Sequence, residues 1–436
     1  MEAGRPPHSD GRDALRRIGL ACAVAAGLLA LLAFQGCAIR PLLYDVRVEP
    51  SVISPNADGV DDVTHIFYTL GRSADVSIYF VGPDGKQHYF RKERRRSPGK
   101  YDVYWGGVIR PEAEERVQVD EHTVMAVRQR VLPDGEYQWV IEAVDDAGRV
   151  DRKTGRLVIR GADTALPELQ NFSVAPRVFT PNQDGVDDRV SITYYLTKKA
   201  EVYVYLVDDQ GKKYPIAEKE RKVERGAPGV HLYDYEGGVD RGAAPPPDGT
   251  YWVVASAEDA VGNYVVVTST LTIREGGVPR ADIVQAKVEF WPKIVPLGGT
   301  LYFTATVENF GSVPIRTSGP PPGTHYRSDQ NFNTLGHYEE PGAWRFGIDF
   351  ETNSTGRPYP YRWAVGSDAD LEVRIVDGRE WRYLLPGHRA VVTGSITIVD
   401  APPRNPIYFW GGLIHEDVRI DAFNDHVSPQ QISIGF

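Results

Sequence analysis

The sequence predicts an all-β chain of three tandem β-sandwich domains behind an N-terminal export or anchor segment. Three observations carry this. An eight-residue stretch occurs twice, PNADGVDD at residues 55–62 and PNQDGVDD at residues 181–188, with seven of eight positions identical. The composition favours strands joined by tight turns, with 23 Tyr, 43 Gly and 32 Pro but only two Met. No long Ala/Leu/Glu/Lys-rich stretch follows residue 36. The length of 436 residues corresponds to about three domains.

The first element is residues 1–36. Arg12, Arg16 and Arg17 precede an apolar run from Ile18 to Phe34, which ends in Gln35-Gly36-Cys37. A basic start, an apolar centre and a small residue before the cut describe an export signal. This one resembles a bacterial lipoprotein signal, and the resemblance implies lipidation at Cys37. An uncleaved membrane anchor is the other reading, since 17 apolar residues lie at the short edge of a membrane-spanning helix. Either way the rest of the chain is expected to be membrane-anchored and extracytoplasmic, at the cell surface or in the periplasm. The only cysteines are Cys22 and Cys37, so nothing downstream can form a disulfide framework or a thiolate metal cage.

Two copies of one domain follow, over residues 37–162 and 163–276. They align at a shift of 182 − 56 = 126 residues. Val48-Glu49-Pro50 matches Val174-Ala175-Pro176, and HIFYTLGRSADVSIYFVGPDGK (65–86) matches SITYYLTKKAEVYVYLVDDQGK (191–212). Val76, Ile78 and Phe80, like Val202, Val204 and Leu206, alternate at period two, as in a strand with one buried face. Asp84-Gly85 and Gln210-Gly211 supply hairpin turns. Gly106-Gly107-Val108 then matches Gly237-Gly238-Val239, and Pro133-Asp134-Gly135 matches Pro247-Asp248-Gly249. About seven short strands per copy describe an Ig-like sandwich. The pattern Tyr195, Val202, Gly211, Gly238, Gly249, Tyr251, Asp259, Gly262 and Asn263 resembles the Ig-like domain of the flagellar hook-capping protein. That resemblance implies a fold and no catalytic residue.

The copies differ in one place. From the Gly-Gly turn to the Asp-Gly turn the first runs 135 − 107 = 28 residues and the second 249 − 238 = 11. The surplus, EAEERVQVDEHTVMAVRQRV (112–131), predicts an added hairpin or an extended loop. The run Arg91-Lys92-Glu93-Arg94-Arg95-Arg96 is expected in a solvated loop, with contact to an anionic lipid or polymer as the alternative.

The repeated stretch has two readings. Hard oxygen ligands on a turn suit Ca2+, and Asn56, Asp58, Asp61 and Asp62, with Asn182, Asp184, Asp187 and Asp188 in the second copy, offer four side chains each. Gly59 and Gly185 allow the tight backbone this needs. Alternatively the Asn and Asp side chains bond neighbouring backbone N–H groups and build a turn without any ion.

Residues 277–436 carry no third copy of the stretch and predict another sandwich. Val307-Glu308-Asn309-Phe310-Gly311, followed by Leu385-Pro386-Gly387 before the alternating 390–398 segment, resembles CARDB and related Ig-like adhesion modules. Between them lies an aromatic region in which Trp344, Tyr361 and Trp363 are candidates for a sugar-stacking platform. Such rings are also the usual core anchors of a sandwich.

The formal charge of −10 argues against general nucleic-acid binding, which needs dense Lys and Arg. The sequence has no HExxH, GxSxG, P-loop or strand-borne GxGxxG, so no enzyme is expected. The expected role is structural or adhesive: a membrane-tethered protein that contacts an envelope protein or polysaccharide. Glycan binding through the third domain, and service as an accessory subunit of an envelope machine, are the alternatives.

Overall fold

A computed structural model describes residues 41–111, 115–218, 223–376 and 378–435. Among these there is no α-helix, only strands and three short 3-10 turns, and no helix is long and apolar enough to cross a membrane. Residues 1–36, and with them the acylation candidate Cys37, lie outside the described residues. The chain divides into two compact units, one of residues up to 112 with 131–164, the other of residues 113–130 with 165–436.

The first unit is a sandwich. One sheet holds the strands Leu43–Glu49, Thr64–Leu70 and Gly99–Trp105. The other runs Val52–Ile53, Val150–Ile159, Gly135–Asp145, Ala74–Val81 and Gln87–Arg96. Val76, Ile78 and Phe80 point inward, as their alternation requires, to meet Ile66, Tyr68 and Leu70. Phe80 stacks on Trp105 with ring centroids 3.7 Å apart. The basic run is not a loop. It lies in the strand Gln87–Arg96, which among the described residues pairs with Ala74–Val81 alone and so forms a sheet edge. Phe90 packs on the core there, and this anchors a segment whose charges give no apolar alternation.

The second unit contains two hydrophobic cores. Around the first, Leu169–Ala175, Val190–Leu196 and Gly229–Tyr235 face a sheet ordered Lys213–Ile216, Glu201–Val207, Gly249–Glu258 and Tyr264–Ile273. The surplus segment is a hairpin, Glu115–Gln118 with Val124–Val131, and it continues that same sheet. Val127 stands opposite Val265 and Val124 opposite Thr268, while Met125 packs on the core of the second repeat. A hairpin that the sequence places within the first repeat is thus built into the second unit.

The second core of this unit belongs to residues 281–434. One sheet has Ala281–Trp291, Thr300–Asn309, Arg389–Thr397 and His325–Arg327. The other, larger sheet includes Val427–Gly435, Ile407–His415, Trp344–Phe350, Ile315–Thr317 and Arg379–Leu384. Trp363 lies between them, edge-on to Phe303 at 4.6 Å.

Candidate functional site

Both copies of the repeated stretch fold into the same turn. In the first, Asp62 accepts the backbone N–H groups of Asn56 (3.1 Å), Ala57 (2.8 Å) and Gly59 (2.8 Å). Asp58 accepts from the N–H of Val60 at 2.8 Å, and Asn56 accepts from the N–H of Asp58 at 2.9 Å. In the second, Asp188 accepts from Asn182, Asp184 and Gly185, Asp184 from Val186, and Asn182 from Asp184. Ala57 and Gln183 both take positive φ, 62° and 60°, as do Asp61 and Asp187 at 54° and 50°. Of the candidate calcium ligands, Asn56, Asp58 and Asp62, like Asn182, Asp184 and Asp188, are brought together on main-chain N–H groups that occupy their oxygens, whereas Asp61 and Asp187 enter the turn through their carbonyls, which accept from the N–H groups of Ser54 and Thr180. Among the described residues no group of three or more His, Cys, Asp and Glu side chains is arranged to hold a metal ion.

The two turns differ in their surroundings. Residues 56–61 are exposed. In the second copy Asn182 and Asp184 keep only 1% and 5% of their surface, because the domain of residues 281–434 closes over them. Arg316, on the Ile315–Thr317 strand, donates through Nε to the carbonyl of Asp184 and through Nη2 to that of Pro341. Its Nη1 bonds Glu340 at 3.1 Å, and the guanidinium lies 4.5 Å over the Trp381 ring. His415 Nε2 donates to the carbonyl of Gln183 at 2.7 Å. Arg374 Nη1 pairs with Glu275 at 2.7 Å.

Two glycines set the closeness of this contact. A Cβ on Gly185 would stand 2.2 Å from the Pro341 carbonyl oxygen, and one on Gly342 would stand 2.2 Å from the carbonyl carbon of Asp184. Both have positive φ, 82° and 77°, which glycine takes without penalty. Behind Gly342, its N–H donates to Glu416 O at 2.9 Å. The Glu416 carboxylate receives Arg345 (3.2 Å) and Arg362 (2.7 Å), so a paired, hydrogen-bonded buried cluster fixes the 338–342 loop.

The electrostatics follow from burial. Burial pushes the Asp184 carboxyl up to about 7, with the Asp188 charge adding to it. Asp188 is raised as well, by burial, against its backbone N–H bonds. His415 is lowered to about 4 by burial, so its imidazole is neutral at pH 7 and Nε2 carries the proton given to Gln183. In the open copy, Asp62 goes the other way: desolvation raises it, but the backbone N–H bonds from Asn56, Gly59, Ala57 and Asp58 together outweigh that and lower it.

Trp344, Tyr361 and Trp363 present no stacking face. They are 4%, 2% and 0% exposed. Trp363 Nε1 donates to Thr324 O at 3.0 Å, Tyr361 donates to Ser328 O at 3.0 Å, and Trp344 stacks on His415 at 4.4 Å. These rings are core anchors because each polar tip finds an internal carbonyl or each face an internal ring. Sequence reasoning missed Arg316, Gly342 and His415. No local pattern marks them, since their partners lie 132 and 232 residues away for Arg316 and His415.

No family model and no curated protein matches the chain. Among solved structures it is similar to a Ca2+-stabilized adhesin that helps an Antarctic bacterium reach out and bind ice, at 14% identity and a TM-score of 0.23, covering 86% of this chain and 83% of that one. It is also similar to Escherichia coli alpha-2-macroglobulin, at 12% identity and a TM-score of 0.18, covering 91% of this chain and 23% of the other. A third is SGBP-B of a Bacteroides ovatus mixed-linkage glucan utilization locus, solved in complex with a mixed-linkage heptasaccharide, at 12% identity and a TM-score of 0.15, covering 90% of this chain and 70% of that one. Scores this low carry no functional inference.

Proposed function

We propose that this protein is a non-enzymatic, membrane-tethered, extracytoplasmic structural or adhesion protein that contacts another component of the cell envelope. One observation supports this most. The repeated Asn and Asp chemistry of the stretch is spent on architecture: in the second repeat its turn is a joint, sealed by Arg316, His415 and the paired glycines Gly185 and Gly342. A chain that uses its most regular polar motif to lock one sandwich to the next suits a spacer that holds a terminal domain at a fixed attitude. The N-terminal pattern of Arg12, Arg16, Arg17 and the apolar run to Phe34 supports the tether.

The test is made in producing cells. Palmitate labelling that disappears in Cys37→Ser, a membrane-fraction location, and degradation of the chain by protease added after the outer barrier is opened are expected. A soluble chain that stays protected inside the cytoplasm would contradict the reading. Retention of the full chain on isolated envelopes, saturable with added protein, is the expected sign of a partner there.

A further inference from the structure

The first unit carries a feature that the spacer reading leaves unused. Within the edge strand Gln87–Arg96, the run 91–96 holds five basic residues and one acid in a chain whose net charge is −10. Arg95 is paired, with Asp146 at 2.6 Å and Asp75 at 3.8 Å. Arg91, Lys92 and Arg94 have no carboxylate within ion-pair distance among the described residues. Lys92 and Arg94 are exposed, and Arg91 is half-buried. Arg91 lies over Phe90 and Lys92 over Tyr89, at 5.1 and 4.9 Å, which props both side chains on aromatic rings. The nearby acids are spent: Asp145 on Arg72 and Arg149, and Asp151 on Lys153 and the N–H of Leu43. Blunting a sheet edge takes only a charge or two. Five exceed that need.

Register then says where this strand lies. Leu43 stands opposite Leu70, and Leu70 opposite Gly99. Arg96 stands opposite Ala74, just after the turn in which the N–H of Gly71 donates to Leu42 O at 3.1 Å. The C-terminal, most basic end of the strand is therefore at the same pole of the sandwich where the chain enters from its N-terminus. Four residues separate Cys37 from Leu42, a span of roughly 20 Å at most.

We infer that this pole, through Arg91, Lys92 and Arg94, is a contact surface for the anionic headgroups of the membrane to which the N-terminus is tethered. The inference rests on the tether reading above. Each basic side chain near an anionic bilayer contributes about fivefold in partition, so three give weak binding alone. A tether that holds the pole close makes weak binding sufficient, because it turns attachment into an intramolecular event.

The experiment uses the full chain with vesicles of neutral phosphatidylcholine, and with vesicles containing phosphatidylglycerol. Flotation with the neutral vesicles reports the tether. Hydrogen exchange of the Gln87–Arg96 amides reports the contact. Exchange severalfold slower on anionic than on neutral vesicles is expected, with the difference erased at about 1 M salt, where the screening length is about 3 Å. The triple variant R91A/K92A/R94A should lose the difference while exchange in the rest of the sandwich stays unchanged. Equal exchange on both vesicles, or slowing that survives the triple variant, would overturn the proposal. Slowing by soluble dextran sulfate on neutral vesicles, with no effect of anionic lipid, would overturn it in favour of an anionic polymer. A chain that fails to float on neutral vesicles yet shows slowing on anionic ones overturns the tether and keeps the lipid contact.

Discussion

At the scale of the residue, the repeated stretch offers an internal control, because one backbone stands in two environments. Gly59 has nothing within 4 Å of its missing Cβ, whereas Gly185 faces the Pro341 oxygen at 2.2 Å. Gly59→Ala should cost only the left-handed penalty, about 1–2 kcal/mol. Gly185→Ala should cost that plus about 1–3 kcal/mol of overpacking, both read by denaturant unfolding. Equal costs would remove the joint. The titrating groups give a second expectation. Between pH about 4 and 7 folded Asp184 keeps a proton that the unfolded chain has lost, so its contribution falls as pH rises. Between about 4 and 6.5 folded His415 lacks a proton that the unfolded chain holds, so its contribution rises with pH. The two oppose each other. Asp184→Asn should therefore steepen the gain in stability from pH 4 to 6.5, and His415→Gln, which keeps an N–H donor, should expose a loss. The calcium reading meets the same geometry: with Asp62 and Asp188 already holding backbone N–H groups, added calcium is expected to leave the melting temperature unchanged. A clear upward shift would restore the ion. The turn itself was legible from its Asn, Asp and Gly spacing. Its burial was not, because the groups that bury it come from strands more than a hundred residues away.

At the scale of the element, apolar alternation was a sound guide wherever a strand has one dry face. Val202, Val204 and Leu206 are all in the core. The alternation fails at sheet edges, where neither face is wholly dry. This is why the Gln87–Arg96 strand reads as a loop in the sequence, and why the surplus segment shows its hairpin but not its destination. That destination has a consequence. The hairpin covers the Tyr264–Ile273 strand, with Val127 and Ala126 buried against it. Removing residues 115–130 would leave residues 264–268 of that strand with unpaired backbone groups, a ready template for association. Light scattering is expected to show self-association of the deletion variant at concentrations where the intact chain is monodisperse. A monodisperse variant would mean that the edge protects itself.

At the scale of the whole molecule, three separate hydrophobic cores sit in the described residues, while the chain forms two compact units. The difference is the joint between the second repeat and the last domain. It relies on main-chain carbonyls and two facing glycines rather than on a broad apolar face, so composition gives no hint of it. The most direct test is a distance. The chain from residue 38 onward contains all three cores and no cysteine, so spin labels attach only where cysteines are introduced. Tyr203→Cys and Val391→Cys place labels on exposed positions of the second repeat and the last domain. Pulsed electron paramagnetic resonance should give one narrow distance distribution, which broadens when Gly342→Ala or Arg316→Ala is added. A broad distribution in the unaltered joint, or a narrow one that both substitutions leave untouched, would contradict the account.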